Sequence, residues 1–249
     1  MNILAIDTSS ATVGAAIGSE QGIIGRLELA AGRQASETLL PLCESLLSLS
    51  SLNLTDMDAL AVTVGPGSFT GLRIGLATVK AWAQALALPL IAVSTLEALA
   101  HGAFERGHVI CPIINARRGE LYAAAFAEKQ RLLEDMLITP EALAERLALF
   151  THYTCEDRDA QQREESVSAI AQPVIFCGDG LAEAGDRLTA LLGERMRLAP
   201  EQRQGFLAAS VALLGRDKYL AGELADPIIL EPAYLRPSAA EEQRPREDK

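Results

Sequence analysis

Histidine is scarce in this chain, and its scarcity removes a class of chemistry. There are three, His101, His108 and His152. No two lie four apart on one helical face and no HExxH is present, which excludes a zinc hydrolase built on a helical histidine pair. Cysteine is also thin. Cys43, Cys111, Cys155 and Cys177 are far apart and form no CxxC pair, so free, buried thiols in a reducing cytoplasm are expected. No apolar run approaches the roughly eighteen residues that span a bilayer. Residues 1–7 carry no positive charge and run straight into Asp7, so no signal peptide is expected. Positive charge is short overall: acidic residues outnumber basic ones 33 to 22, the formal charge is −11, and no Lys/Arg cluster exceeds the pair Arg117 and Arg118. Nucleic-acid binding leans on phosphate neutralisation by a basic patch, so this chain is not expected to grip nucleic acid by itself. A GxSxG elbow and a P-loop ending in GK[ST] are both missing.

What is present describes a globular protein. The 249 residues are 49% hydrophobic and 22% charged, enough for one large domain or two modest lobes with their own cores. Apolar runs at 3–6, 13–17 and 23–29, separated by polar and glycine-containing turns, predict three strands. A helix follows over 36–48, with Ser36 as its cap and Glu37 in its first turn, although Pro41 moves the expected start of its regular part. Then come a strand at 59–64, a glycine turn, a helix over 71–86, a strand at 90–93, and a helix over 94–100 opened by a capping box of Ser94 and Glu97. The order is β-β-β-α-β-α-β-α.

The second half begins in the same way. A strand at 109–114 ends in Asn115, a polar turn follows, and 121–127 is a strand, so Asp7 and Asn115 occupy matching positions. Further on lie a helix at 140–149, an exposed acidic loop at 156–168, a strand at 174–177, the turn Gly178-Asp179-Gly180 with a helix to 192, and a last helix over 205–220. The expected division is an N-terminal lobe of 1–105 joined by the returning segment 205–236, a C-terminal lobe of 106–204, and a disordered tail at 238–249.

The stretch that organises the chain is GPGSFTG at 65–71 and the helix it feeds. That helix has one narrow polar stripe, Arg73, Lys80 and Gln84, so it must be covered on more than one side. The 36–48 helix repeats the pattern with Glu37, Glu44 and Ser48. Gly71, Gly75 and Ala83, spaced by multiples of four, predict a smooth strip open to a helix from another molecule. The two helices are therefore expected to form a partner-docking face from Leu39, Leu42, Cys43, Leu46, Gly71, Arg73, Gly75, Leu76, Lys80 and Ala83. The glycine turn itself reads as a rigid bend capped by Ser68 or Thr70. Asp7, Thr8 and Ser9 at a strand end suit either a metal-bound phosphate or a capped turn. Gly178, Asp179 and Gly180 suit either the far side of a nucleotide or an ordinary turn.

LAIDTSS, GPGSFTGLRIGLATVKAW, NARRGELY, GDG and Tyr234-Leu235-Arg236 occur in that order across residues 1–236, and together they resemble the TsaB (YeaZ) family. The resemblance implies an α/β actin/hexokinase/sugar-kinase (ASKHA) fold, two lobes each built on a ribonuclease-H-like sheet. It implies a non-catalytic partner of the TsaD-type subunit, joined by a TsaE-type ATPase. Their assembly transfers a threonylcarbamoyl group from its adenylate to N6 of the adenosine beside the anticodon, in tRNAs reading codons that begin with A. It further implies a cytoplasmic protein, a homodimer when alone, contact with tRNA only through the complex, no membrane, no metal, and no tightly held cofactor, ATP or ADP belonging to the assembly. TsaD binds metal through an HxxxH pair, and the matching positions here are Thr95 and Leu99. The chain departs from the family pattern at Asn115, often Asp, and at Ala35-Ser36-Glu37, often His-Ser-Glu. The competing expectations are an autonomous ATP-dependent kinase or ATPase of the same fold using Asp7, and a metallopeptidase.

Overall fold

Among the described residues, ten strands and six α-helices follow in an order that uses one pattern twice. In chain order they are β1 (Asn2–Asp7), β2 (Thr12–Ser19), β3 (Gly22–Ala30), α1 (Ala35–Leu49), β4 (Ala59–Gly65), α2 (Phe69–Leu86), β5 (Leu90–Ser94), α3 (Thr95–Gly102), β6 (Val109–Asn115), β7 (Leu121–Ala127), β8 (Gln130–Ile138), α4 (Pro140–Ala148), β9 (Val174–Cys177), α5 (Leu181–Leu192), β10 (Met196–Leu198) and α6 (Leu207–Leu220). The structure, a computed structural model, describes residues 1–31, 34–128, 130–150, 173–200 and 207–236. Cys155, His152, the acidic 156–168 segment, the expected helix start at 205 and the 238–249 tail lie outside them.

The first sheet has the order β3-β2-β1-β4-β5 and the second β10-β9-β6-β7-β8. In each, the first three strands form an antiparallel meander, and the last two run parallel to the first strand. β1 thus corresponds to β6 and β4 to β9, which places Asp7 and Asn115 at equivalent strand ends. The repeated opening in the sequence is a repeated topology.

Strand alternation builds a core on both faces of the first sheet. Leu4 and Ile6 of β1 join one cluster with Leu39, Leu42 and Leu46 of α1 and Leu76 and Val79 of α2. Ile3 and Ala5 join another with Ala208, Val211 and Ala212 of α6. Coverage on both faces is why β1 and β4 read as unbroken apolar runs. Each fully buried Leu or Ile here contributes roughly 1.5–3 kcal/mol. α6 lies close because its residues are small: a Cβ on Gly215 would sit 2.7 Å from Cβ of Ala61, and one on Gly14 3.1 Å from Cβ of Ala208. A third cluster fills one face of the second sheet beneath α4 and α5.

Several local expectations need correction. α1 begins at Ala35, and Gln34 precedes it without a side-chain cap, so Ser36 is inside the helix. The helix runs through Pro41, which is exposed, so the carbonyl deprived of its partner can be hydrated. Ser94 caps α3 by accepting from the Glu97 N–H at 3.3 Å, yet the Glu97 carboxylate turns to Lys218 Nζ at 3.5 Å and the reciprocal half of the box is not made. β8 and β10 were not expected. β8 is a half-buried edge strand carrying Arg131, Glu134 and Asp135, which breaks the apolar alternation, and β10 is three residues long.

The largest correction concerns the two-helix face. Leu39, Leu42, Cys43, Leu46, Leu76 and Ala83 are at most 4% exposed, in this chain's own core. Gly71 and Gly75 are buried against the β1–β2 turn: a Cβ on Gly71 would lie 1.9 Å from the Thr8 carbonyl oxygen, and one on Gly75 2.3 Å from Thr8 Oγ1. The small-residue strip exists, and the chain fills it itself. Arg73 and Lys80 are the two members of the expected face that reach the surface region, and both hold the C-terminal segment. Lys80 Nζ donates to the carbonyls of Ile228 and Leu230 at 3.3 and 3.0 Å, and Arg73 Nε donates to Tyr234 Oη at 2.9 Å.

Candidate functional site: the cleft between the two sheets

Two turns meet where the sheets face each other, and glycine lets them touch. Gly67 sits so close to the β1–β2 turn that a Cβ would be 2.4 Å from the Ser9 carbonyl oxygen. That carbonyl accepts from the Ser68 N–H at 2.7 Å, while Thr8 Oγ1 donates to the Gly71 carbonyl at 2.7 Å. Ser68 caps α2, accepting from the Gly71 N–H at 3.2 Å. The glycine turn is therefore packed backbone to backbone against residues 8 and 9, as a rigid bend would be.

Asp7 lies under this junction, fully buried. Its Oδ1 accepts from Ser9 N, Ser9 Oγ and Thr63 Oγ1 at 3.1, 2.6 and 2.8 Å, and Oδ2 has no partner among the described residues. Burial pushes the carboxyl above its ordinary value, and the Ser9 and Thr63 hydrogen bonds pull against that shift. The folded chain then holds this proton more tightly than the unfolded one. Stability is lost as pH rises from about 4, the unfolded carboxylate range, through the raised folded value, and regained on acidification. Asp7→Asn is expected to flatten this part of the stability–pH profile and to leave the chain at least as stable as wild type at pH 7. Denaturant titrations across pH check it. A loss of about 3 kcal/mol or more at pH 7 would mean that the carboxylate charge itself holds the turn.

Above the junction opens a cleft of about 920 Å³, walled by both sheets' turns. Ser9 and Asp179 line it from opposite sides, so these two of the six residues expected near a nucleotide face one space. Asp7 and Thr8 lie buried under the junction. Gly178 and Gly180 pack on β6: φ is +101° at Gly178, a Cβ there would be 2.2 Å from the Ile113 carbonyl oxygen, and the Gly180 N–H donates to that oxygen at 3.2 Å. Asp179 Oδ1 accepts from the Asn115 N–H at 3.0 Å, and Asn115 Nδ2 donates to Glu183.

Three features of the cleft were not assigned from the sequence. The tip of the β6–β7 hairpin presents Arg117 and Arg118, both exposed, with φ of +64° and +57°. Phe69 at the start of α2 stacks on Tyr234, centroids 4.8 Å apart, and the Arg73 guanidinium lies 3.9 Å over the Phe69 ring. The C-terminal segment closes one side. The Ala233 N–H donates to the Val64 carbonyl at 2.7 Å, and Arg236 reaches across to the Ala116 carbonyl and the Glu120 carboxylate. Contacts between residues more than a hundred positions apart leave no local trace, though the Arg117–Arg118 pair was visible as the one basic cluster.

Among the described residues, the thiols are buried away from the cleft. Cys43, Cys111 and Cys177 are buried free thiols, as expected; burial raises Cys177 to about 12, and burial with the nearby Glu44 does the same for Cys43. Among the described residues no group of three or more His, Cys, Asp or Glu could hold a metal ion, and no helix is long and apolar enough to cross a membrane.

Comparison with known proteins agrees with this geometry. Residues 16–243 match the family model for TsaD, tRNA N6-adenosine threonylcarbamoyltransferase. The chain is 31% identical to the tRNA threonylcarbamoyladenosine biosynthesis protein TsaB of Bacillus subtilis, over 97% of this chain and 96% of that one. Its structure is similar to that of a Pseudomonas aeruginosa protein described as similar to peptidase YeaZ, with a TM-score of 0.72, 25% identity, and coverage of 94% of this chain and 99% of that chain. A more distant likeness, 14% identical with a TM-score of 0.50 over 88% and 99% of the chains, is to component A of the Acidaminococcus fermentans (R)-2-hydroxyglutaryl-CoA dehydratase. The twice-used five-stranded sheet with helices is the actin/hexokinase/sugar-kinase architecture.

Proposed function

Because the chain belongs to the TsaB (YeaZ) family, whose members serve tRNA threonylcarbamoyladenosine biosynthesis, we propose that it is the non-catalytic scaffold subunit of the threonylcarbamoyl-transferring complex. In this reading it pairs with a TsaD-type catalytic subunit, a TsaE-type ATPase joins them, and tRNA is engaged by the assembly. Alone the chain is a cytoplasmic homodimer that holds no metal and no tightly bound nucleotide.

The observation that carries the reading is the opening of α3. Thr95 and Leu99 stand where the catalytic relative's metal-binding histidines would fall. Thr95 is 2% exposed with its Oγ1 unpartnered among the described residues, and the Leu99 carbonyl accepts from Cys177 Sγ at 3.7 Å. A buried hydroxyl does not ligate a metal as an imidazole does, and a leucine side chain cannot ligate one at all. The sealed Asp7 adds to this, since a carboxylate with no path to the cleft is a poor orienter of a nucleotide-bound ion. The match of 16–243 to the catalytic subunit's own family model supports a partner of the same fold. The division into a lobe of 1–105 with 205–236 and a lobe of 106–204 belongs to the same reading, and α6 packing across β1 to β5 supports it.

Reconstitution is the test. The TsaD-type and TsaE-type subunits with tRNA, threonylcarbamoyl-adenylate and ATP are expected to form modified tRNA only when this chain is added, and the chain alone is expected to turn over no ATP. Equal modification with and without it sinks the scaffold reading. ATP turnover by the isolated chain, lost in Asp7→Ala, would favour an autonomous ATPase instead.

A further inference from the structure

Residues 225–236 form a strap that passes from one sheet to the other. Along the first sheet, the Ala225 N–H donates to the Leu90 carbonyl at 2.8 Å, and Lys80 Nζ holds the Ile228 and Leu230 carbonyls. The Ala233 N–H then donates to the Val64 carbonyl, and the strap runs so close over the end of β4 that a Cβ on Gly65 would lie 2.9 Å from the Ala233 carbonyl oxygen. Arg236 leaves that sheet for the tip of the β6–β7 hairpin, where it donates to the Ala116 carbonyl and pairs with the Glu120 carboxylate. We propose that the strap is a clasp, closed in this structure, that holds the mouth of the cleft at one width and ties it to the exposed surface of α2.

The two sheets are also joined by packing of a different kind. Leu96 and Ala100 of α3 cluster with Ile110, Phe126 and Ile175 of the second sheet, and Ser94 Oγ donates to Asp135 Oδ2 at 2.6 Å. Ser94, Leu96, Ala100 and Asp135 line no part of the cleft. That joint cannot part without exposing apolar side chains to water. The clasp can. Ala233, Tyr234, Leu235 and Arg236 line the cleft together with Ala116, and the Arg236 and Glu120 side chains are 15% and 34% exposed. On release, water entering from the cleft can hydrate the guanidinium, the carboxylate and the carbonyl, so opening here costs far less than unfolding.

Both ends of the clasp are arranged to respond. At the hairpin, Arg117 and Arg118 hold φ of +64° and +57° before Gly119 at +77°, a left-handed run that side chains disfavour. Arg236 braces this turn at Ala116 and Glu120, the residues on either side of it, so losing the brace lets it relax. At the other end, Tyr234 stacks on Phe69 and accepts from Arg73 Nε at 2.9 Å. Arg73 is exposed on α2 and fixes the point from which the last two residues of the strap reach across. A contact made on Arg73 therefore acts on the hairpin through Tyr234 and Arg236.

The clasp does not depend on the scaffold reading, and amide exchange by NMR on the isolated full chain tests it. Arg236→Gln and Glu120→Gln approach the pair from either side. In each, the Ala116, Glu120 and Ala233 amides are expected to exchange at least about tenfold faster, while the β1 and β4 amides keep their rates. The double variant should add nothing to the larger single effect, because both changes undo one contact. Arg73→Gln is expected to speed the same hairpin amides severalfold from the far end. Spin labels on Thr70→Cys and Arg118→Cys, which face the cleft from its two walls, are placed in a Cys155→Ser chain whose thiols at 43, 111 and 177 are buried. Arg236→Gln is expected to lengthen and widen their distance distribution. Unchanged hairpin exchange in the folded single variants, or an unchanged label distance, overturns the clasp. Faster exchange shared equally by β1 and β4 also overturns it, by making Arg236 a general stabiliser. Hairpin amides indifferent to Arg73→Gln overturn the tie to α2.

Discussion

Gly71→Ala is expected to destabilise the chain by about 3 kcal/mol or more, a large fraction of the stability of an ordinary domain. The added methyl would be placed 1.9 Å from the Thr8 carbonyl oxygen, a backbone atom that cannot rotate away. Relief requires α2 and the β1–β2 turn to separate. That breaks the Thr8 Oγ1 bond to the Gly71 carbonyl and the Ser68 N–H bond to the Ser9 carbonyl, and it loosens the cover over Asp7. Urea unfolding measures it. Gly185→Ala on α5 is the control, because a Cβ there meets nothing within 4 Å, and it is expected to stabilise by roughly 0.5–1 kcal/mol. A Gly71→Ala chain within about 1 kcal/mol of wild type would show that the junction yields, and the rigid-bend account of the glycine turn would fail.

That junction also shows where reading from sequence stops. The spacing of Gly71, Gly75 and Ala83 marks a run of small residues on one face of α2. Spacing says that something approaches closely, and it is silent on what. The neighbour proved to be Thr8, more than sixty residues away, supplied by the same chain. Similarly, the excess apolar surface of α1 is real, and β3 meets it: Gly25 admits Leu46, whose Cδ1 would be 3.0 Å from a Cβ at that position. Elements with a strong local signal were legible: the apolar runs of β1, β4, β6 and β9, the Ser68 and Ser94 caps, and the turn at Gly178. Elements held by distant partners were not. The Arg117–Arg118 turn depends on Arg236, and the Phe69 stack on Tyr234, so the cleft is assembled by contacts no window of sequence contains.

On the scaffold reading, with the glycine strip occupied, the part of α2 open to a partner is its solvent-exposed stripe. Arg73, Ala77, Ala81 and Gln84 are exposed at helical spacing, and Glu37, Leu40, Pro41, Glu44 and Ser48 are exposed along α1. At the middle of the α2 stripe the residues are alanines, which permit a close helix–helix approach. Leu40, 46% exposed on α1, a helix that contacts α2, offers an apolar anchor. Ala77→Glu and Ala81→Glu are each expected to weaken pairing with the TsaD-type subunit at least about a hundredfold, or 2.7 kcal/mol. Each sets a bulkier, charged group where desolvation on docking would be costly. Because both positions face solvent in the free chain, its unfolding free energy should move by no more than about 0.5 kcal/mol. Leu46→Glu, at a position 2% exposed, is expected to act differently, losing the fold and the pairing together because a carboxylate cannot be carried in that core. Sedimentation of the mixed subunits with denaturant curves on the same samples separates the two behaviours. Undiminished pairing by folded Ala77→Glu and Ala81→Glu chains would place the partner on a surface other than the α2 stripe.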